Sequence, residues 1–260
     1  MDVIGFNSAK HARHRAGSHE SRGARSMCNL PLDTTGIVFS VGGVLYDDSI
    51  WNRWLLQQLT KLGLQTQYQA FFQVLENEYL PEVYCGQRDY WQALRAYLFS
   101  VGLSRGQVDE IEATTSGRRL RFEQEIRPMP GVRATLALLS TRGIPMAILC
   151  NAVDSAKELS GKLQSLGISQ HFQQVVSSRD TGVAMPAPES YRSAVEALNI
   201  GPGKLLFVSN DQRELQGARA AGMISVAIQV DEEIAGDICL DRIDDLTGLV
   251  GVSQKRAKAG

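Results

Sequence analysis

The sequence predicts an α/β fold: a parallel sheet layered between helices, with an all-helical segment inserted after the first strand. Three observations carry this expectation. Five short runs rich in β-branched and aliphatic residues are bounded by turn residues, as buried strands are. Helical periods of roughly ten residues separate most of them, the spacing of right-handed crossovers between parallel strands. Between Ile50 and Glu125 that alternation stops, and helical periods succeed one another with no strand between them.

The first strand is Gly36–Val41, a run that leads into Gly42-Gly43. The insertion opens with Trp51, Trp54, Leu55, Leu56 and Leu59, and continues through Tyr68–Tyr79, Tyr90–Val101 and Val108–Phe122. Apolar residues at helical spacing read as the core of a small bundle rather than as a ligand site. The alternation then resumes. Helix Val132–Arg142 precedes strand Pro145–Leu149, and helix Ser155–Leu166 precedes strand Gln174–Ser177. Helix Glu189–Leu198, strand Lys204–Val208, helix Arg213–Ala221 and strand Ile224–Ile228 complete the set. The expected organisation is a basic tail at 1–34, a core of 35–47 and 127–252, a helical cap at 48–126, and a second basic tail at 253–260.

Composition excludes several classes. The 260 residues are 43% hydrophobic and 21% charged, enough for a sizeable core. The net charge of −1 does not suit a nucleic-acid binder, which needs a basic face. No apolar run is long enough to span a membrane. The first 34 residues lack the apolar stretch of a secretory signal. Their arginines and serines alone would suit an organelle transit peptide, but their amphipathic pattern is poor. Met27 is the alternative start of translation. Cys28, Cys85, Cys150 and Cys239 form no paired or zinc-type spacing, so they read as reduced thiols of a cytoplasmic protein.

In an open parallel sheet, ligands sit at the carboxyl ends of the strands. The segments to read there are Ser40–Gly43, Cys150–Ala152, Arg179–Pro188 and Ser209–Glu214. Val38-Phe-Ser-Val-Gly-Gly-Val-Leu-Tyr-Asp47 resembles the first motif of the haloacid dehalogenase-like (HAD) superfamily. Pro130-Gly131, Ile148–Ala152, Gly182–Tyr191 and Leu206–Met223 resemble later stretches of that family, in order. The resemblance covers about residues 35–250. It implies a Rossmannoid three-layer core, and it matches the insertion to the family's small helical cap.

The resemblance also implies a catalytic set, from which this chain departs. Ser40 stands where the family has its aspartate nucleophile, and Gly42 where the phosphatases have an aspartate that moves a proton. Cys150, followed by Asn151, stands where a hydroxyl contacts phosphate, and Met185 where a lysine precedes a proline. Asp211 and Glu214 remain at the carboxylate positions that hold magnesium in the family. No cofactor is expected. The magnesium of the family would find few carboxylates here, and Asp211 is read first as a helix cap. Gly42-Gly43 is read as a turn requiring positive φ, and Asp47 and Asp48 as ordinary surface acids where the cap begins.

Two functions are expected. The first is a chain that keeps the fold, has lost catalysis, and acts as a binding or regulatory module. The second is a hydrolase of altered chemistry, phosphatase or dehalogenase type, with Ser40 or Cys150 as nucleophile and Asp211 or Glu214 as base. A small phosphorylated or carboxylate ligand in the cleft is the expected partner, with a protein partner or a homodimer beside it.

Overall fold

The computed structural model describes residues 34–116, 118, 122, 124–228 and 234–250. The basic tails expected at 1–34 and 253–260 lie outside the described residues, apart from Thr34.

Six strands form one sheet in the order β3-β2-β1-β4-β5-β6. They are β1 (Gly36–Phe39), β2 (Met146–Cys150), β3 (Gln174–Ser177), β4 (Leu205–Ser209), β5 (Ile224–Ile228) and β6 (Ile238–Leu240). Every pairing is parallel. β1 lies in the middle because both its neighbours are supplied by later crossovers, β2 on one side and β4 on the other. All residues of β1, β2 and β4 are buried, as expected of strands covered on both faces.

Helices α6 (Val132–Thr141), α7 (Ala156–Ser165), α8 (Ser178–Thr181), α9 (Pro188–Leu198) and α10 (Gln212–Ala220) make the crossovers. Alternate residues of the strands point to opposite faces. Ile37, Phe39, Met146 and Ile148 pack with Leu136, Leu139, Leu159 and Leu163 of α6 and α7. Val38, Ala147, Leu149 and Phe207 pack with Tyr191, Ala194 and Leu215 of α9 and α10. A full capping box, Ser155 with Glu158, starts α7 and fixes the chain where it leaves β2.

The insertion is helical throughout its described residues: α1 (Ser49–Lys61), α2 (Tyr68–Val74), α3 (Pro81–Tyr84), α4 (Tyr90–Ser100) and α5 (Arg105–Ser116). It has its own apolar centre of Trp54, Leu55, Leu59, Phe71, Leu94, Leu98 and Ile111. The stretch Tyr68–Tyr79 differs from the single helix expected. It is α-helical to Val74 and then widens into a π turn over Leu75–Tyr79, closed by Leu80 N–H on Leu75 O at 3.0 Å. β6 and the short helices α3 and α8 were not expected either.

The candidate active-site cleft

The ends of β1, β2 and β4 bring the motif residues together. Ser40 extends the ladder one residue past β1, its N–H donating to Val208 O at 2.9 Å. Ser40 is buried and lies close enough to Glu214 to lower that carboxyl's pKa. Ser209, at the end of β4, donates to Glu214 Oε2 at 2.6 Å. Asp211 is the N-cap of α10 and accepts the Glu214 N–H at 2.9 Å. Glu214 is therefore held under Ser40 by its own helix start. Burial pushes its carboxyl up to about 7; the charges of Asp211 and Glu76 push the same way, and the serine bonds partly offset them.

Cys150 is buried at the end of β2, with its thiol toward Val176 O at 3.8 Å. Burial, then the charges of Glu214 and Asp154, raise the thiol above its usual range. It is a packed core atom rather than an available nucleophile. Asn151 has a different job. Its Oδ1 accepts from Met185 N–H at 2.7 Å, and its Nδ2 donates to Met185 O at 2.9 Å. This two-point clamp holds the β3–α9 loop, where the Met185–Pro186 peptide is cis. The Met185 side chain is buried with Val38, Leu149 and Tyr191. At the position where the family carries a lysine, this chain presents core.

One expectation about the first loop needs correction. The positive φ belongs to Gly43 (67°) alone, and a side chain there would also strike the Asn210 amide. Gly42 is restricted by something else. A Cβ on it would overlap Asp48 Oδ2 and lie 3.0 Å from Asp48 Cγ. Asp48 is exposed, as a surface acid should be, yet its carboxylate fills the space beside Gly42. Crowding by the surrounding protein raises its pKa; Asp47 adds to the rise and Lys162 opposes it. Asp47 is spent on α1, accepting the Ser49 N–H at 3.0 Å and pairing with Arg53 at 2.6 Å.

The sequence reading missed the contribution of the cap. Glu76, on the π turn, is exposed at its surface but lies within electrostatic reach of Asp211 and Asp48; desolvation by the protein beside it and these charges raise its carboxyl to about 7. Asn77 accepts a hydrogen bond from Arg213 of α10, tying this turn to the floor. On the far side, Lys162 of α7 reaches Asp154 at 2.8 Å. No local pattern marks Glu76; only the cap's placement over α10 brings it here.

The magnesium implied by the resemblance does not fit this donor set. Ser40 offers a neutral hydroxyl, Asp211 Oδ1 is committed to its cap, and Glu214 Oε2 already accepts from Ser209. Among the described residues no three His, Cys, Asp or Glu side chains group to hold a metal ion. A separate cavity of about 360 Å³, lined by Ile50, Arg53, Trp54, Gln57, Arg118, Phe122 and Glu125, includes none of the motif residues. Among the described residues no helix is long and apolar enough to cross a membrane.

Comparison with known proteins agrees with this geometry. The chain is 31% identical over 129 residues to a phosphoglycolate phosphatase of Pectobacterium atrosepticum, covering 47% of this chain and 54% of that protein. It is 34% identical over 97 residues to an (S)-2-haloacid dehalogenase of a Pseudomonas species, covering 37% of this chain and 42% of that one. The chain spans about half the length of the curated relatives it matches. Among solved structures, the L-2-haloacid dehalogenase of Xanthobacter autotrophicus shares the fold. The TM-score is 0.63 at 20% identity, over 83% of this chain and 97% of that one. A family profile described as haloacid dehalogenase-like hydrolase matches residues 34–222. With six parallel strands in this order, the motifs at their ends and that match across most of its length, the chain belongs to the haloacid dehalogenase-like hydrolases.

Proposed function

We propose that this chain is a hydrolase of altered chemistry, phosphatase in type, in which Ser40 is the nucleophile and Glu214 its base. One observation carries the reading: buried Ser40 stands beside Glu214, a carboxylate held by Ser209 and raised by burial to about 7, the range in which a base is most effective. The Ser40 proton passes to Glu214 as Oγ bonds to phosphorus. The bond to the departing alcohol breaks, and the alkoxide takes up a proton. Water then attacks the phosphoserine, and Glu214 returns its proton to Oγ as that bond breaks.

The chemistry favours phosphoryl transfer over dehalogenation. Displacing a halide with serine would leave an ether on Ser40, which water does not readily cleave. The phosphatases among the relatives point the same way. The raised Cys150 thiol removes the other nucleophile from consideration. A small phosphorylated substrate, with or without a carboxylate, is the class to test.

A second reading is a chain that has lost catalysis and serves as a binding or regulatory module. It draws on Met185, whose buried side chain leaves no cation at the lysine position. The experiment is turnover of p-nitrophenyl phosphate and phosphoglycolate, with intact-mass detection of a phosphoryl adduct. Adduct and turnover that vanish in Ser40→Ala and Glu214→Gln support the hydrolase. Absence of both in the wild-type chain supports the module.

A further inference from the structure

Gly42 lies two residues beyond Ser40 and supplies no side chain to the cleft. The space a side chain would fill is nevertheless occupied. A Cβ built on Gly42 overlaps Asp48 Oδ2 and lies 3.0 Å from Cγ and 3.2 Å from Oδ1. A carboxylate thus stands beside the nucleophile's loop, delivered from farther along the chain.

The delivery is fixed by backbone. Gly43 N–H donates to Tyr46 O at 2.9 Å, and Gly42 and Tyr46 form a bridge. Tyr46 pairs in turn with Pro128, and Asp47 N–H donates to Arg127 O at 3.1 Å. The loop is therefore closed on itself and pinned to the segment that returns from the cap. Asp47 is committed to Ser49 and Arg53. Asp48, exposed to solvent, is the acid left beside Gly42, within electrostatic reach of the Lys162 ammonium, which Asp154 anchors.

We propose that Asp48 is the proton-transfer residue of the Ser40 reaction, supplying from across the loop the carboxyl that Gly42 lacks; this rests on the hydrolase reading above. In the first half-reaction, the Asp48 carboxylic acid gives its proton to the ester oxygen as the bond from that oxygen to phosphorus breaks. Glu214 meanwhile holds the proton taken from Ser40. In the second, the Asp48 carboxylate takes a proton from water as the water oxygen bonds to phosphorus. The Glu214 proton returns to Oγ as the phosphoserine bond breaks. Ester and water become alcohol and inorganic phosphate, and both carboxyl groups end as they began.

The test uses the full chain with two phosphate esters, p-nitrophenyl phosphate and phenyl phosphate. The first has a leaving group that departs without a proton, and the second needs one. Asp48→Asn and Asp48→Ser should cut turnover of phenyl phosphate roughly 100-fold or more, the scale of a lost general acid. In the first turnover they should slow release of nitrophenol far less than release of phenol, and with the nitrophenyl ester phosphoserine at Ser40 should then accumulate, because the second half-reaction has lost its base. The double variant Gly42→Asp/Asp48→Ala returns a carboxyl to the emptied space and should recover at least part of that loss. Thermal melting of each variant confirms that it is folded. Ser40-dependent first-turnover rates that both Asp48 variants leave unchanged, or lower equally on the two esters, would overturn the role of Asp48 and leave the hydrolase standing. No Ser40-dependent turnover in the wild-type chain would overturn both.

Discussion

Replacing Glu214 with glutamine should stabilise the protein at alkaline pH and leave it nearly unchanged in acid. The reason is the cost of keeping this carboxylate ionised where it sits. Its ordinary pKa is 4.5, and the folded chain raises it to about 7. The sign comes from linkage: the fold prefers the protonated form, so stability is full below pH 4.5 and is lost as pH rises toward 7. Each tenfold change in proton affinity is worth about 1.4 kcal/mol, so the accumulated cost above pH 7 has a ceiling of about 3 kcal/mol. Glutamine keeps an oxygen to accept from Ser209 and carries no charge to desolvate. The assay is urea unfolding of wild type and Glu214→Gln from pH 4 to pH 9. The difference should grow in favour of the variant through pH 5–7 and then level off. A constant difference, or a wild type that gains on the variant as pH rises, would refute the burial argument. The same variant should lose Ser40-dependent turnover, so stability and activity would move in opposite directions at one residue.

Four further outcomes can be checked. Gly217→Ala should destabilise by about 1–3 kcal/mol in urea unfolding, since its Cβ would meet Tyr191 Oη at 2.5 Å and Pro186 O at 2.9 Å. The gain in helix propensity, about 1 kcal/mol, should be visible instead at Gly161→Ala, where nothing lies within 4 Å. In timed alkylation read by peptide mass, the exposed Cys239 should react before Cys85 and Cys150 last of these three, and Cys150→Ala should leave turnover intact. For a phosphate ester, KM should rise as pH passes 7 and Glu76 and Glu214 ionise; Glu76→Gln should remove part of that rise, roughly fivefold for one carboxylate at contact range in wet surroundings.

The centre of the sheet was legible because its strands are buried on both faces and therefore apolar without interruption, as Ile37-Val-Phe39 and Leu205–Val208 are. β6 escaped notice because it is a three-residue edge strand, incompletely buried. The family and the motif positions could be read because each motif lies just past a strand end. The roles of those residues were less accessible. Asn151 reads as a cleft residue, yet both ends of its amide are used on the Met185 backbone. Met185 reads as a failed lysine, yet it is part of the core. Asp48 reads as a surface acid because nothing in its local sequence shows that the loop doubles back over Gly42. Local periodicity locates elements; it does not record which side chain another loop will displace.

The π turn at Leu75–Tyr79 gives the roof of the cleft a separate adjustment. A wide turn of this kind holds one more residue than an α-helical turn of the same role. Deleting one residue there would restore ordinary winding and change which side chains the turn itself presents, while the chain beyond keeps its phase. Glu76 and Asn77 would then no longer address Asp211 and Arg213 together. The floor, built on strand ends and on the N-terminus of α10, would be untouched. Selectivity at the mouth of the cleft and reactivity at its base are thus encoded in segments that can vary independently, by changes in length above and changes in chemistry below.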